Sequence, residues 1–198
     1  MLVCEWEESL GWSVPRIIPY QNLSIPPSAS VFHYAIECFE GMKAYRDREG
    51  AIRLFRPDLN MKRFLASAER LALPSFEVGD LLTLIKKLVK TEESWIPYRP
   101  GYSLYIRPTL IGTHNELGVA PAKRALLFVI CCPVGPYYKT GFNAVSLYAE
   151  NRFIRAWPGG TGAHKIGAYI LHTLTRASHW IDNDFVEIMQ RVYCHRHL

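Results

Sequence analysis

Apolar residues recur along this chain with two periods, and each period predicts its own kind of element. Alternating or continuous apolar runs bounded by Gly, Pro or charged residues are typical of β-strands. Such runs occur at 38–45, 51–55, 103–111, 125–133 and 144–148. The polar stretch from Asp47 to Gly50 separates the first two runs, so we expect these two strands to form a hairpin.

Two further segments carry apolar residues at spacings of three and four, which predicts helices. The first follows Arg56 and Pro57, with Asp58 as the expected N-cap, and its apolar positions extend to Ala72. The second covers about 78–94. Strands, then two helices, then more strands predict an α+β fold rather than alternating βαβ units.

A segment rich in Pro and Gly, at 133–143, predicts an interdomain loop. Residues 1–132 before it form the expected small α+β N-terminal domain, which is complete. Residues 144–198 form the start of a second, larger domain, with 144–148 and 153–157 as its first hairpin and an atypical tail from about 168 to 198. Because domains below about 60 residues are marginal, we expect this second domain to be truncated.

Composition and charge exclude several classes of protein. The chain has 198 residues, of which 49% are hydrophobic and 21% charged, which excludes a disordered chain. Its net charge of +5 comes from basic residues that are scattered rather than clustered. This pattern argues against a nucleic-acid partner and leaves either a solvated surface or a cationic cleft for anionic substrates.

The location and metal content follow from what the sequence lacks. Its apolar runs are shorter than the roughly 20 residues of a membrane span, and it opens without a charged and apolar leader. We therefore expect an intracellular protein without a membrane partner, in either the cytoplasm or the mitochondrion.

The cysteines lack metal and redox spacing, and buried thiols are expected at Cys131 and Cys132. No metal is predicted, since Cys194, His195 and His197 are adjacent ligands at a chain end.

The most informative stretch for chemistry is RAWPGGTGAHKIG at 155–167, in which four glycines surround Lys165. Glycine permits sharp turns and the close approach of a planar ligand. A lysine in a partly desolvated cleft becomes a usable amine nucleophile, suited to a Schiff base with an aldehyde cofactor. On composition alone, a glycine-rich turn with a solvated lysine is the alternative interpretation.

Four motifs in a fixed order identify a family. They are FEGMKAY at 39–45, NMKR at 60–63, SLYIRP at 103–108 and the stretch at 155–167. With these motifs the chain resembles the branched-chain amino-acid aminotransferases, class IV enzymes that use pyridoxal 5'-phosphate. The resemblance covers roughly residues 3–167. It implies the D-amino-acid-aminotransferase-like fold, the pyridoxal phosphate cofactor, and a homodimer.

The resemblance also implies roles for individual residues. Lys165 matches the lysine that binds the cofactor as a Schiff base and moves the proton of the substrate Cα. Arg63 matches the arginine on the cofactor phosphate, and Tyr169 stands in for the tyrosine that bonds the cofactor's phenolic oxygen. The matched residues of the substrate pocket are Tyr34, Phe39, Tyr105, Arg107 and Tyr137.

Tyr105 and Arg107 are the pair in this pocket that the resemblance assigns to the substrate carboxylate. They stand two residues apart on one predicted strand, so their side chains should face the same side. The aromatic residues have an alternative interpretation as plain core.

The implied activity is transamination of Leu, Ile and Val with 2-oxoglutarate, which yields the branched-chain 2-oxo acids and glutamate. The match ends near Gly167, before the family's acidic partner of the pyridine nitrogen and its Gly/Thr-rich phosphate-binding segments. We therefore expect a truncated chain that holds the cofactor poorly. The alternative function is a non-catalytic isoform that keeps the dimerising N-terminal domain.

Overall fold

The computed structural model describes residues 1–137, 143–144, 147–150, 156–167 and 187–190. Its strands are β1 (Leu2–Glu7), β2 (Gly11–Trp12), β3 (Arg16–Ile17), β4 (Glu37–Phe39), β5 (Met42–Arg46), β6 (Ile52–Leu54), β7 (Ser103–Gly112), β8 (Arg124–Val134), β9 (Leu147–Glu150) and β10 (Glu187–Gln190). Its helices are α1 (Ser30–Tyr34), α2 (Pro57–Arg70) and α3 (Val78–Thr91), followed by a 3-10 turn at Glu93–Trp95.

A large antiparallel sheet organises the first 137 residues. Its strands lie in the order β2-β1-β8-β7-β5-β6, with β3 paired to β1 and β4 paired to β7. The longest ladder joins β7 and β8, from Ser103 opposite Val134 to Gly112 opposite Ala125. Strand β9 pairs in parallel with β10. Strands, two helices and further strands confirm the predicted α+β class.

One face of this sheet carries the hydrophobic core. Because successive side chains of a strand point to opposite faces, Leu104, Ile106 and Leu110 of β7 share one face, and all three are fully buried. They belong to one cluster with Phe64 of α2 and Ile85 of α3. The amphipathic faces predicted for α2 and α3 are therefore buried against the sheet.

Several predicted element boundaries differ from those of the structure. The run at 38–45 is two strands rather than one, because the chain leaves the ladder between Phe39 and Met42. Helix α2 has Arg56 as its N-cap, in the left-handed region at φ 48, so the prediction of Asp58 as N-cap is wrong. Pro57 fits the first helical position because its missing N–H needs no partner there. Helix α3 ends at Thr91 rather than at residue 94.

The turn between β5 and β6 confirms the predicted hairpin. The Gly50 amide donates to the Asp47 carbonyl at 3.1 Å, and the Asp47 amide donates to the Ala51 carbonyl at 3.0 Å. The Asp47 carboxylate also accepts from the amides of Glu49 and Ala51 and from Arg53. These bonds hold the pKa of the Asp47 carboxyl below its usual range.

The first 36 residues contain elements that the hydrophobic pattern did not reveal. Strand β1 lies inside the sheet, where it pairs with β2, β3 and β8. The expectation of buried thiols is wrong for Cys132, which is exposed, because alternation along β8 sends it to the face opposite Cys131. Cys131 itself is only partly buried. Burial raises the pKa of the Cys131 thiol to about 11.

The predicted interdomain loop overlaps the sheet at its start, since β8 continues through Pro133 and Val134. Residues 138–142, much of the predicted hairpin at 144–148 and 153–157, and most of the tail lie outside the described residues. The division into domains therefore stays a prediction. None of the helices in the described ranges has the length and apolar character that crossing a bilayer requires.

Candidate active site

The glycine-rich stretch forms two consecutive turns that lead to Lys165. The Gly160 amide donates to the Trp157 carbonyl, and the His164 amide donates to the Thr161 carbonyl, each at 3.0 Å. Gly162 packs directly against Ala156, and a Cβ at position 162 would collide with it. Only glycine allows the chain to fold back on itself this tightly.

The backbone after these turns docks on the edge of β4. The Phe39 amide donates to the Lys165 carbonyl at 3.1 Å, and the Gly167 amide donates to the Glu37 carbonyl at 2.8 Å. Cys38 and Ile166 form the bridge between these two bonds. Lys165 is therefore held by sheet-type pairing rather than by a solvated turn.

A serine of α2 adds a second attachment for Lys165. Ser67 is buried, and its hydroxyl accepts the Lys165 amide at 3.0 Å while donating to the Arg63 carbonyl at 2.9 Å. One hydroxyl thus connects the backbone of the predicted cofactor lysine to that of the predicted phosphate arginine.

Two cations converge on the ring of Phe39. The Lys165 Nζ lies 4.4 Å from the ring centre, and the Arg107 guanidinium carbon lies 4.7 Å from it. Both distances are within the range of a cation–π interaction. Phe39 itself is only 8% exposed, so it forms a rigid apolar floor between the two charges.

Arg107 is held in turn by Tyr105. Its Nε and Nη2 donate to the Tyr105 hydroxyl at 3.2 and 2.9 Å. The two side chains lie on the same face of β7, as their spacing predicts. Gly41 packs against the Tyr105 hydroxyl so closely that any Cβ would collide with it.

Arg63 projects from α2 into a neighbouring cleft of about 540 Å³. Its Nε and Nη2 donate to the two carboxylate oxygens of Glu40, the second at 2.9 Å. The cleft is lined by Gly41, Lys43, Arg56, Asn60, Arg63 and Tyr105, among others. Three of the ten lining residues are cationic and none of the ten is acidic, so the cleft suits an anionic group.

Burial perturbs two titratable groups of β4. It raises the pKa of the Glu37 carboxyl, while the nearby charge of Arg107 acts in the opposite direction. It also raises the pKa of the Cys38 thiol far above its ordinary range, which keeps this thiol protonated and unreactive.

The predicted site residues fall into three groups. The structure brings together Phe39, Tyr105, Arg107 and Lys165, and it joins Arg63 to them through Ser67. Tyr34 lies at the end of α1, where its hydroxyl donates to the carbonyl of Leu117. Tyr137 follows β8 and is 82% exposed, and Tyr169 lies outside the described residues.

Glu40 and Ser67 belong to the site although neither residue was predicted to. Glu40 is a carboxylate directly after an apolar strand, and Ser67 interrupts the apolar face of α2 between Phe64 and Ala68. Both are polar residues at positions where the pattern calls for an apolar one. This mismatch is the signal that could have found them.

The donor set of this site fits a phosphorylated aldehyde. A primary amine at the edge of the sheet can condense with an aldehyde. A guanidinium in a cationic cleft binds phosphate oxygens in a planar fork. A second guanidinium, stacked on an apolar ring, suits a carboxylate attached to a hydrocarbon side chain.

Comparison with solved structures defines the fold. A branched-chain aminotransferase from Thermoproteus uzoniensis, solved with norvaline, matches with a TM-score of 0.71 at 18% identity over 98% of this chain and 61% of that one. A second branched-chain amino acid aminotransferase, solved with pyridoxamine 5'-phosphate, matches with a TM-score of 0.73 at 22% identity, over 96% and 59%. The enzyme from Escherichia coli matches with a TM-score of 0.72 at 20% identity, over 96% and 60%. The fold is therefore that of the pyridoxal-phosphate-dependent branched-chain aminotransferases, as predicted.

Comparison with curated sequences finds relatives that share one name. The branched-chain-amino-acid aminotransferase of Dictyostelium discoideum is 57% identical over 174 residues, which are 88% of this chain and 46% of the relative. The cytosolic one of Saccharomyces cerevisiae is 60% identical over 168 residues, 85% of this chain and 45% of the relative. No protein-family model matches the chain. Over most of its own length the chain is similar to branched-chain-amino-acid aminotransferases, and it spans about half the length of the curated relatives it matches.

Proposed function

We propose that this protein transfers the amino group of Leu, Ile or Val to 2-oxoglutarate with pyridoxal 5'-phosphate as cofactor. The products are the branched-chain 2-oxo acids and glutamate. The observation that carries the proposal is the convergence of the Lys165 amine and the Arg107 guanidinium on the ring of Phe39. The names of relatives at 57% and 60% identity support it.

Lys165, Arg63 and Tyr169 would hold the cofactor. When bound, pyridoxal phosphate supplies an aldehyde for the amino group and a ring that accepts electrons from the substrate Cα. Lys165 Nζ would supply the primary amine that holds the aldehyde, and the same amine would move the proton of the substrate Cα. Arg63 would hold the phosphate, and Tyr169 would hold the phenolic oxygen.

The substrate would lie between the amine and Arg107. Arg107, with its geometry set by the Tyr105 hydroxyl, receives a carboxylate. The ring of Phe39 contacts the apolar side chain of the amino acid and excludes water from it. Tyr34 and Tyr137 are assigned to the remaining walls of the pocket.

The proposal includes a homodimer inside the cell. Large apolar side chains are exposed on α1 and on the loop that Tyr34 bonds, among them Phe32 (61%), Leu117 (62%) and Val119 (85%). A second copy that covers them would remove apolar surface from water. Matched relatives from Saccharomyces cerevisiae are named cytosolic and mitochondrial, and both compartments stay open.

Reductive trapping of the cofactor tests the proposal directly. The chain is mixed with pyridoxal phosphate, treated with borohydride and digested, and the peptides are weighed by mass spectrometry. Because the sequence predicts that the chain holds the cofactor poorly, pyridoxal phosphate is supplied in excess. We expect a phosphopyridoxyl group on Lys165 and, without borohydride, formation of glutamate from leucine and 2-oxoglutarate. Both should disappear in Lys165→Ala and persist in Lys62→Ala, which removes an exposed lysine of α2.

The same preparation separates the alternatives. A folded dimer, measured by sedimentation equilibrium, that traps no cofactor on Lys165 would contradict the proposal and favour the non-catalytic function. Trapping spread evenly over surface lysines would contradict the assignment of Lys165.

A further inference from the structure

Glu40 is a buried carboxylate to which no role has yet been assigned. Its side chain is fully buried, and it accepts hydrogen bonds from the Gly41 amide at 2.9 Å, from Asn60 Nδ2 at 2.8 Å, and from both Nε and Nη2 of Arg63. A buried charge requires such complete pairing, because its transfer out of water is otherwise very unfavourable.

The pairing is asymmetric in a way that points toward a ligand. The Glu40 side chain is 0% exposed, whereas the Arg63 side chain remains 53% exposed and lines the cationic cleft. Two parallel hydrogen bonds fix the plane of a guanidinium as well as its position. The Nε and Nη2 edge of the Arg63 guanidinium is thus bonded to a buried carboxylate. This attachment determines how the remaining N–H groups of the guanidinium face the cleft.

Glu40 is itself held by independent elements. It follows β4, where its amide donates to the Pro108 carbonyl of β7 at 2.9 Å. Asn60 bonds both the Glu40 carboxylate and the Gly41 carbonyl, the latter at 3.2 Å, which ties the carboxylate to α2. Its position therefore does not depend on Arg63 alone.

We propose that Glu40 is a positioning residue that orients Arg63 for the phosphate of the cofactor. The inference rests on the proposed function, since it takes Arg63 as the phosphate ligand. The ligand class is a phosphorylated aldehyde, and the phosphate is the part of it that depends on Glu40. The aldehyde depends on Lys165 instead.

Two effects of Glu40 on a phosphate have opposite signs, so an experiment can tell them apart. As a negative charge near the cleft, Glu40 repels phosphate, and its neutralisation would strengthen phosphate binding. As the anchor of Arg63, it aligns the donor, and its neutralisation would weaken phosphate binding. We expect alignment to outweigh repulsion, because the ion pair with Arg63 already neutralises the carboxylate charge.

The test compares pyridoxal phosphate with pyridoxal, which carries the same aldehyde without phosphate. Binding of each compound to the full chain is measured by absorbance. The affinity for pyridoxal phosphate divided by the affinity for pyridoxal is the ratio that isolates the contribution of the phosphate. In Glu40→Gln we expect this ratio to fall by about tenfold, the loss that accompanies one misplaced charge-assisted hydrogen bond. Affinity for pyridoxal alone should change little. Glu69→Gln, which removes an exposed carboxylate from the same helix as Arg63, should leave the ratio unchanged.

A second variant covers the case in which Glu40→Gln does not fold. Glu40→Asp keeps the buried charge but withdraws the carboxylate by one methylene, so it should also lower the ratio. A lower ratio than that of the wild type, in whichever variant folds, supports the inference. An unchanged or increased ratio overturns it while the proposed function stands.

Failure of the proposed function has a different signature. A wild-type chain that binds pyridoxal as tightly as pyridoxal phosphate overturns the role of Arg63 and, with it, that of Glu40. A wild-type chain that binds neither aldehyde at Lys165 overturns the proposed function itself.

Discussion

The two faces of strand β7 are built on different principles. Leu104 and Ile106 point into the core, where both are fully buried. Tyr105 and Arg107 alternate with these two residues along the strand and point to the other face. There they are half-buried and bonded to each other. A single run of the sequence therefore serves both stability and the candidate site.

The difference between the faces lies in what satisfies each side chain. On the core face, contacts are non-directional, and any well-packed apolar group of similar volume would serve. On the site face, directional bonds connect Arg107 to Tyr105, and a cation–π contact places Lys165 over the ring of Phe39. Substitutions on the core face should change stability most, whereas those on the site face should change ligand binding.

The largest effect on stability is expected at Phe64. This residue is fully buried in the core and stacks on Phe76 with ring centres 5.1 Å apart. Phe64→Ala should lower the free energy of unfolding by about 3–5 kcal/mol, because it removes transfer free energy and leaves a cavity. Phe55→Ala, at a ring that is 72% exposed, should cost less than about 0.5 kcal/mol. Urea denaturation measures both, and equal losses in the two variants would contradict the division between core and surface.

An intermediate effect is expected at Ser67, the buried residue of α2 whose hydroxyl bonds the Lys165 amide. Ser67→Ala should cost about 1–3 kcal/mol, since it leaves the Lys165 amide without its acceptor. Hydrogen exchange at that amide should also become faster. Thr91→Ala is the matched control, because Thr91 makes the same bond to the carbonyl one turn back but lies on the exposed surface of α3. If exchange at Lys165 is equally slow in both variants, the attachment through Ser67 is wrong.

The smallest effect is expected at Glu37, and it depends on pH. Burial raises its pKa above the ordinary 4.5, so the folded state favours the protonated carboxyl. The resulting stability is fully present below pH 4.5 and is lost as the pH rises through the folded-state pKa. Glu37→Gln should therefore be more stable than wild type near neutral pH, by less than about 1 kcal/mol because the group is only half-buried.

Unfolding of both proteins at a series of pH values measures this dependence. The advantage of Glu37→Gln should shrink as the pH falls toward 4.5. Glu69→Gln, at an exposed position, should show no such trend. An advantage of Glu37→Gln that grows on acidification would mean that the sign of the pKa shift is wrong.

Local pattern was sufficient for the long elements of the fold. The periods of apolar residues placed α2, α3, β7 and β8 to within a few residues, because burial on one face imposes its own period on each element. The spacing of Tyr105 and Arg107 likewise determined that they share a face. The four glycines around Lys165 drew attention to this lysine, because glycine permits the sharp turns and close approaches that other residues do not.

Tertiary structure alone decided how the site is assembled. Lys165 meets Ser67 across 98 positions of the chain, and Arg63 meets Glu40 across 23. The period of a strand or helix says which face a residue occupies but not which distant residue faces it. The burial of Glu40 and the place of β1 between β2 and β8 depend on such distant partners. Local sequence patterns identified Lys165, Arg63 and Arg107 as side chains suited to the chemistry, and long-range pairing decided which side chains meet.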